Sequence, residues 1–131
     1  MTKEVHVTSE EGFVSEATVG DFAFRLDAGG EAAPDTLESL LGTYAACYVP
    51  ALRVGAKQRD AGELGGIEID ATGELNDDDK LAAIAFDVNV DAELDDSQAQ
   101  AVVDRANELC KVHDALKPGL HASVTLNGHS C

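Results

Sequence analysis

The stretch Pro34-Asp-Thr-Leu-Glu-Ser-Leu-Leu-Gly-Thr-Tyr-Ala-Ala-Cys-Tyr48 decides how the rest of the chain is read. Asp35 and Glu38 have the spacing of a capping box, with Pro34 just outside, so a helix begins here. Leu37, Leu40, Leu41, Tyr44, Cys47, Tyr48, Ala51 and Val54 then recur at helical spacing and predict one buried stripe that turns Cys47 inward. Pro50 falls inside this pattern, where its ring and missing N–H disturb the helix close to Cys47. Lys57-Gln-Arg-Asp60 and Gly62 end the element.

Upstream, Val5–Thr8 and Phe13–Val19 read as strands, and Phe22–Leu26 follows them after a Gly20-Asp21 hairpin signal. A loop around Gly29-Gly30 leads to the helix. Downstream, Gly66–Gly73 places Ile67, Ile69 and Ala71 on one face of a half-buried strand, and Asn76–Lys80 makes a turn. Ile84, Phe86, Val88, Val90, Ala92 and Leu94 then alternate as a strand. Ser97 with Gln100 predicts a second capped helix, with Ala99, Val102, Val103, Ala106, Leu109, Cys110 and His113 inward and Lys117-Pro-Gly119 at its end. Leu120, Ala122, Val124 and Leu126 share one face of a last strand. The order β-β-β-α-β-β-α-β predicts an α+β fold with a largely antiparallel sheet and two main helices. With neither repeat nor linker, residues 1–131 read as a single domain.

A chain of 131 residues buries one core. Its 25 acids against 9 bases give a net charge of −16, which repels nucleic acid and anionic membranes. Because the acids are dispersed and not gathered in a tail, they read as adaptation to high salt, where self-repulsion is screened. No run of eighteen apolar residues could span a membrane, and the N-terminus lacks the apolar segment of a signal peptide. A cytoplasmic location is therefore expected.

Cys47, Cys110 and Cys131 are odd in number and widely spaced, which argues against a structural disulfide framework. Cys131, as the last residue, is the least expected to be functional. One cysteine on an Ala-rich helix face reads as a small core hydrophobe. Two, each facing inward on one of the only two helices, come within disulfide reach if the helices pack together. His113, three residues beyond Cys110 and on the same helix face, offers proton transfer or a hydrogen bond that holds the thiol, or a second metal ligand to which His121 or His129 would add; otherwise it reads as a helix-end His near the C-terminal dipole. Without a compact second pair of ligands, no metal site is expected.

Gly29-Gly30, Pro34, Leu37-Glu38, Leu40-Leu41, Ala45-Ala46-Cys47 and the later Leu109-Cys110-x-Val112-His113 together resemble the OsmC/Ohr family, from about Phe24 to Leu126. The resemblance implies a thiol-dependent hydroperoxide reductase of oxidative-stress defence, with Cys47 attacking the peroxide and Cys110 resolving it. It also implies Arg25 and Glu38 as an activating pair, an intertwined homodimer and a small-molecule hydroperoxide substrate. The reductant would be a dithiol or a lipoyl-bearing protein, with no metal and no bound organic cofactor. The sequence departs from the family's peroxidases at two places: Leu37 stands where they carry the activating Glu, and Lys111 where they mostly carry Pro. Glu38, one position later, is explained by capping alone. Arg53, two turns beyond Cys47, is an alternative to Arg25, while Arg59 and Arg105 read as surface charges. These departures keep a second reading open, that of a non-catalytic or redox-sensing protein of the same fold.

Overall fold

The computed structural model describes residues 1–128, so His129 and Cys131 lie outside the described residues. The chain divides into two units, one covering Met1–Leu40 and the other beginning at Leu41. In the first, β1 (His6–Thr8), β2 (Val14–Val19) and β3 (Phe22–Asp27) form an antiparallel sheet in the order β1-β2-β3. Gly20 takes φ 57° in the two-residue β2–β3 turn, a conformation that costs a side chain but not glycine. The register sets Val7, Ala17 and Phe24 in one row and Val19 beside Phe22. Side chains alternate across a strand, so these residues share a face, on which Phe22 is 78% and Phe24 51% exposed.

Asp27 closes β3 and organises the loop that follows. Its buried carboxylate accepts the N–H groups of Gly29, Glu31 and Ala32 at 2.9, 3.1 and 2.9 Å, and its own N–H donates to the Pro34 carbonyl at 2.9 Å. The N–H groups of Ala32 and Gly29 hold its carboxyl below the usual carboxylate range, against the opposing effect of burial. The chain is thereby delivered to the helix start, where the expected capping box is present. Asp35 Oδ1 accepts the Glu38 N–H at 2.7 Å and Glu38 Oε1 accepts the Asp35 N–H at 2.9 Å.

α1 (Thr36–Gln58) continues into the second unit and remains one helix across Pro50. Its buried residues there are Tyr44, Tyr48, Ala51, Leu52, Gly55 and Ala56. Val54, which the periodicity placed inward, is 45% exposed. The stripe turns away from it, and Cys47 lies half-buried at the stripe's edge. β4 (Ile67–Leu75), β5 (Leu81–Val90) and β6 (Ser123–Asn127) make the second sheet, in that order. β5 begins three residues before Ile84 and stops at Val90, so Ala92 and Leu94 lie beyond it.

The sheet is not wholly antiparallel: β4 and β5 form a hairpin, but β6 runs parallel to β5. The reason is the helical segment between β5 and β6, which carries the chain back to re-enter the sheet in the same direction. That segment opens with α2 (Asp96–Leu109), capped by Asp95 with Gln98 and not, as expected, by Ser97 with Gln100. Asp95 Oδ1 accepts the Gln98 N–H at 2.7 Å and Gln98 Oε1 accepts the Asp95 N–H at 3.0 Å. α3 (Lys111–Ala115) and a 3-10 turn at Pro118–Leu120 complete it.

The core of this unit joins Ile84, Phe86, Val88 and Val90 of β5 to Tyr44, Tyr48 and Leu52 of α1 and to Val102 and Ala106 of α2. α1 and α2 approach closely at Gly55, where a Cβ would sit 3.3 Å from the Val102 carbonyl oxygen. Among the described residues no helix is long and apolar enough to cross a membrane.

Candidate functional site

Two elements of the second unit bring the cysteines together. α1 presents Cys47 one turn after Tyr44, and Cys110 follows the last residue of α2. The expected single helix through His113 is in fact two, with Cys110 in the break at φ −72° and ψ 115°. Cys110 caps both. Its N–H donates to the Ala106 carbonyl at 2.9 Å, and its sulfur accepts the His113 N–H at 3.5 Å. His113 therefore meets the Cys110 sulfur through its backbone and not, as helical spacing suggested, through a side chain on one shared helical face.

Both thiols are free, and each acts on the titration of the other. Burial pushes the Cys47 thiol up. The N–H of Val112, the Cys110 thiol, and the N–H and ammonium of Lys111 more than offset this, and the net shift is downward. Cys110 goes the other way: burial raises it, the His113 N–H opposes, and the Cys47 sulfur raises it further. The directions make Cys47 the more acidic thiol of the pair and Cys110 the less acidic. A thiolate is the nucleophilic form of cysteine, and the surroundings of Cys47 favour that form.

Cys47 opens onto an apolar concavity of about 340 Å³, lined also by Pro50, Ala51, Val54, Leu109 and Lys111. The exposed Val54 is one of its walls, which gives the outward turn of that residue a chemical setting. Behind the thiols, the Tyr44 hydroxyl lies 2.6 Å from His113 Nδ1 and accepts the Ala122 N–H at 3.0 Å. The Tyr48 hydroxyl donates to Asn107 Oδ1 at 2.7 Å, and burial holds its pKa well above the ordinary phenol value. Among the described residues no three His, Cys, Asp or Glu side chains gather as metal ligands.

Of the four site residues expected from sequence, Cys47 and Cys110 meet in the second unit, while Arg25 and Glu38 belong to the first. Arg25 lies opposite Glu16 in the β2–β3 register, and Glu38 is engaged in the cap. The other arginines make side-chain hydrogen bonds elsewhere: Arg53 donates to the Gly65 carbonyl at 2.7 Å, Arg59 to the Gln58 carbonyl at 3.5 Å, and Arg105 to Gln58 and Glu108. The cation that acts on Cys47 within its own unit is Lys111. Sequence reasoning searched for an arginine and passed over this lysine, although it directly follows the second cysteine.

A family model described as OsmC-like protein matches residues 28–125. The chain belongs to the OsmC-like family. An uncharacterized protein of Haloferax volcanii is 40% identical over 125 residues, covering 95% of each chain. Among solved structures, the OsmC-like protein of Mycoplasma pneumoniae superposes with a TM-score of 0.81 at 17% identity, covering 98% of this chain and 96% of that one. The organic hydroperoxide resistance protein OhrB of Bacillus subtilis does so with a TM-score of 0.67 at 24% identity, covering 95% and 98%. These likenesses establish the OsmC-like fold.

In this OsmC-like chain Lys111 is exposed, so its field on Cys47 is partly screened by solvent and salt. Replacing Lys111 by Met should slow Cys47 alkylation at neutral pH by about twofold in low salt and by less in molar salt. Competitive iodoacetamide labelling read by peptide mass measures it.

Proposed function

We propose that the protein is a thiol-dependent hydroperoxide reductase acting in oxidative-stress defence, with Cys47 peroxidatic and Cys110 resolving. The observation that carries this reading is the convergence of the two cysteine segments: Cys47 lines one apolar concavity with Leu109 and Lys111, the residues on either side of Cys110, and the directions of the two thiol shifts agree with it. The Cys47 thiolate attacks one peroxide oxygen; the O–O bond breaks, the alcohol leaves with a proton, and Cys47 becomes a sulfenic acid. The Cys110 sulfur then attacks the Cys47 sulfur, water departs, and a disulfide forms. An external dithiol, free or on a lipoyl-bearing protein, restores both thiols by exchange. The apolar concavity beside Cys47 suits the hydrocarbon part of an organic hydroperoxide better than hydrogen peroxide.

Family likeness adds Arg25 and Glu38 as the activating pair, and it adds the homodimer. The exposed Phe22 and Phe24 face in the first unit fits a second copy as its cover. The family match spans residues 28–125, across the boundary between the units, which supports the single-domain reading. Free thiols suit a reducing, cytoplasmic setting, and the charge of −16 suits high salt. The test is dithiol-dependent consumption of cumene hydroperoxide in molar salt. Many turnovers per protein, faster than with hydrogen peroxide, support the reading; consumption no faster than dithiol alone removes it.

A further inference from the structure

Tyr44 is fully buried, with the rings of Phe86 and Tyr48 at centroid distances of 4.6 and 6.5 Å. A buried hydroxyl must find partners, and core satisfaction alone would account for the Ala122 N–H it accepts. The second partner is less expected. With its oxygen already accepting from Ala122, the hydroxyl gives its hydrogen to His113 Nδ1 at 2.6 Å, a tautomer assigned from the pattern of partners. His113 is then neutral with its proton on Nε2; burial and the neighbouring His121 favour that form, and Asp114 opposes it. The His113 ring stacks on His121 with centroids 3.8 Å apart, and His121 Nε2 donates to the Leu116 carbonyl at 3.1 Å.

The position of this network matters because α3 has five residues and cannot hold its own place. Val112 and Leu116 pack against the core through apolar contacts, which carry no direction. The Tyr44–His113 bond does carry direction. Tyr44 stands one turn before Cys47 on α1, and the His113 N–H rests on the Cys110 sulfur. We propose that the Tyr44–His113 hydrogen bond, backed by the His121 stack, is a positioning clamp for the thiol pair. It ties the helix carrying Cys47 to the segment carrying Cys110, Lys111 and Val112, whose N–H groups act to lower the Cys47 thiol. Tyr44 and His113 are positioning residues and need not touch substrate. The inference rests on Cys47 being the reactive thiol of the proposed function, but not on a peroxide as its oxidant.

The test is the pH profile of Cys47 alkylation by iodoacetamide, resolved by peptide mass, in the reduced full-length protein in molar salt. Tyr44→Phe removes the donor and His113→Phe the acceptor, and both keep an aromatic ring. Each should move the Cys47 midpoint upward and slow alkylation at pH 7 about tenfold. His113→Asn, whose Oδ1 can take the Tyr44 hydroxyl in place of Nδ1, should recover most of the wild-type rate. Wild-type profiles in both Phe variants would overturn the clamp. So would His113→Asn as slow as His113→Phe, which marks general packing. Should His113→Phe fail to fold, Tyr44→Phe and His113→Asn decide alone: a slow first and a near-wild-type second support the clamp, and any other pairing overturns it. No peroxide enters this assay, so an intact clamp in a protein that ignores hydroperoxides would count against the proposed function only.

Discussion

Cys47→Ser should lower hydroperoxide turnover by about a thousandfold or more, to the background of the dithiol alone. A serine hydroxyl stays protonated in the setting that lowers the Cys47 thiol, and it cannot carry the sulfenic state through which the oxygen is removed. The partner change should behave differently. Cys110→Ser leaves the nucleophile in place, so the first peroxide is still reduced, and Cys47 then persists as a sulfenic acid that dimedone traps. Cys110→Ala, unlike Cys110→Ser, also removes one of the donors that lower Cys47, so its single turnover should be several-fold slower than in wild type. Stopped-flow peroxide consumption followed by mass analysis separates the two. Equal, complete loss in both variants would mean that Cys110 does more than resolve.

Phe86→Ala should destabilise the protein by about 3–5 kcal/mol, the largest effect expected of a single core truncation here. Phe86 is buried on β5, with its ring centroid 4.6 Å from Tyr44 and 5.3 Å from Tyr48. Removing the ring loses apolar burial and leaves a cavity beneath both tyrosines, which close-packed helices fill only in part. Denaturant unfolding in molar salt, where self-repulsion among the acids is screened, gives the number. The lost support also lets Tyr44 shift against His113, so Cys47 reactivity should fall in the variant that remains folded. An effect below about 1 kcal/mol would show that the core under α1 relaxes freely.

Much of this was legible in the chain because the decisive signals were local. The Asp35–Glu38 cap, the alternation from Ile84 to Val90 and the hairpin at Gly20 each follow from residues a few positions apart. What residue spacing left open or misplaced was non-local or finely balanced. The parallel β6 depends on the path of the chain after β5, and residue spacing does not encode it. The break at Cys110 has no glycine or proline to announce it; it depends on a sulfur accepting a backbone N–H, a weak bond that no pattern marks. At the second cap, Asp95 with Gln98 and Ser97 with Gln100 are equally good matches two residues apart, and spacing cannot choose between them.

The site divides in the same way. Each cysteine was visible as an inward residue on its own helical pattern, and the meeting of the two required the tertiary structure. Lys111 was hidden by the expectation of an arginine. Tyr44 was read as one more apolar position, although a tyrosine on the buried face of a helix needs a partner for its hydroxyl, and that need pointed beyond α1. His113 does hold the Cys110 sulfur by a hydrogen bond, but through its backbone N–H, while its ring goes to Tyr44.

The most direct measurement is peptide mapping of the reduced protein in molar salt after brief exposure to one equivalent of cumene hydroperoxide. The predicted result is rapid loss of two hydrogens from the intact mass, together with a single cross-linked peptide pair joining Cys47 to Cys110. Thiols that stay reduced, or oxidation that proceeds slowly and falls mainly on Cys131, would contradict the central claim that the Cys47–Cys110 pair is built for peroxide reduction.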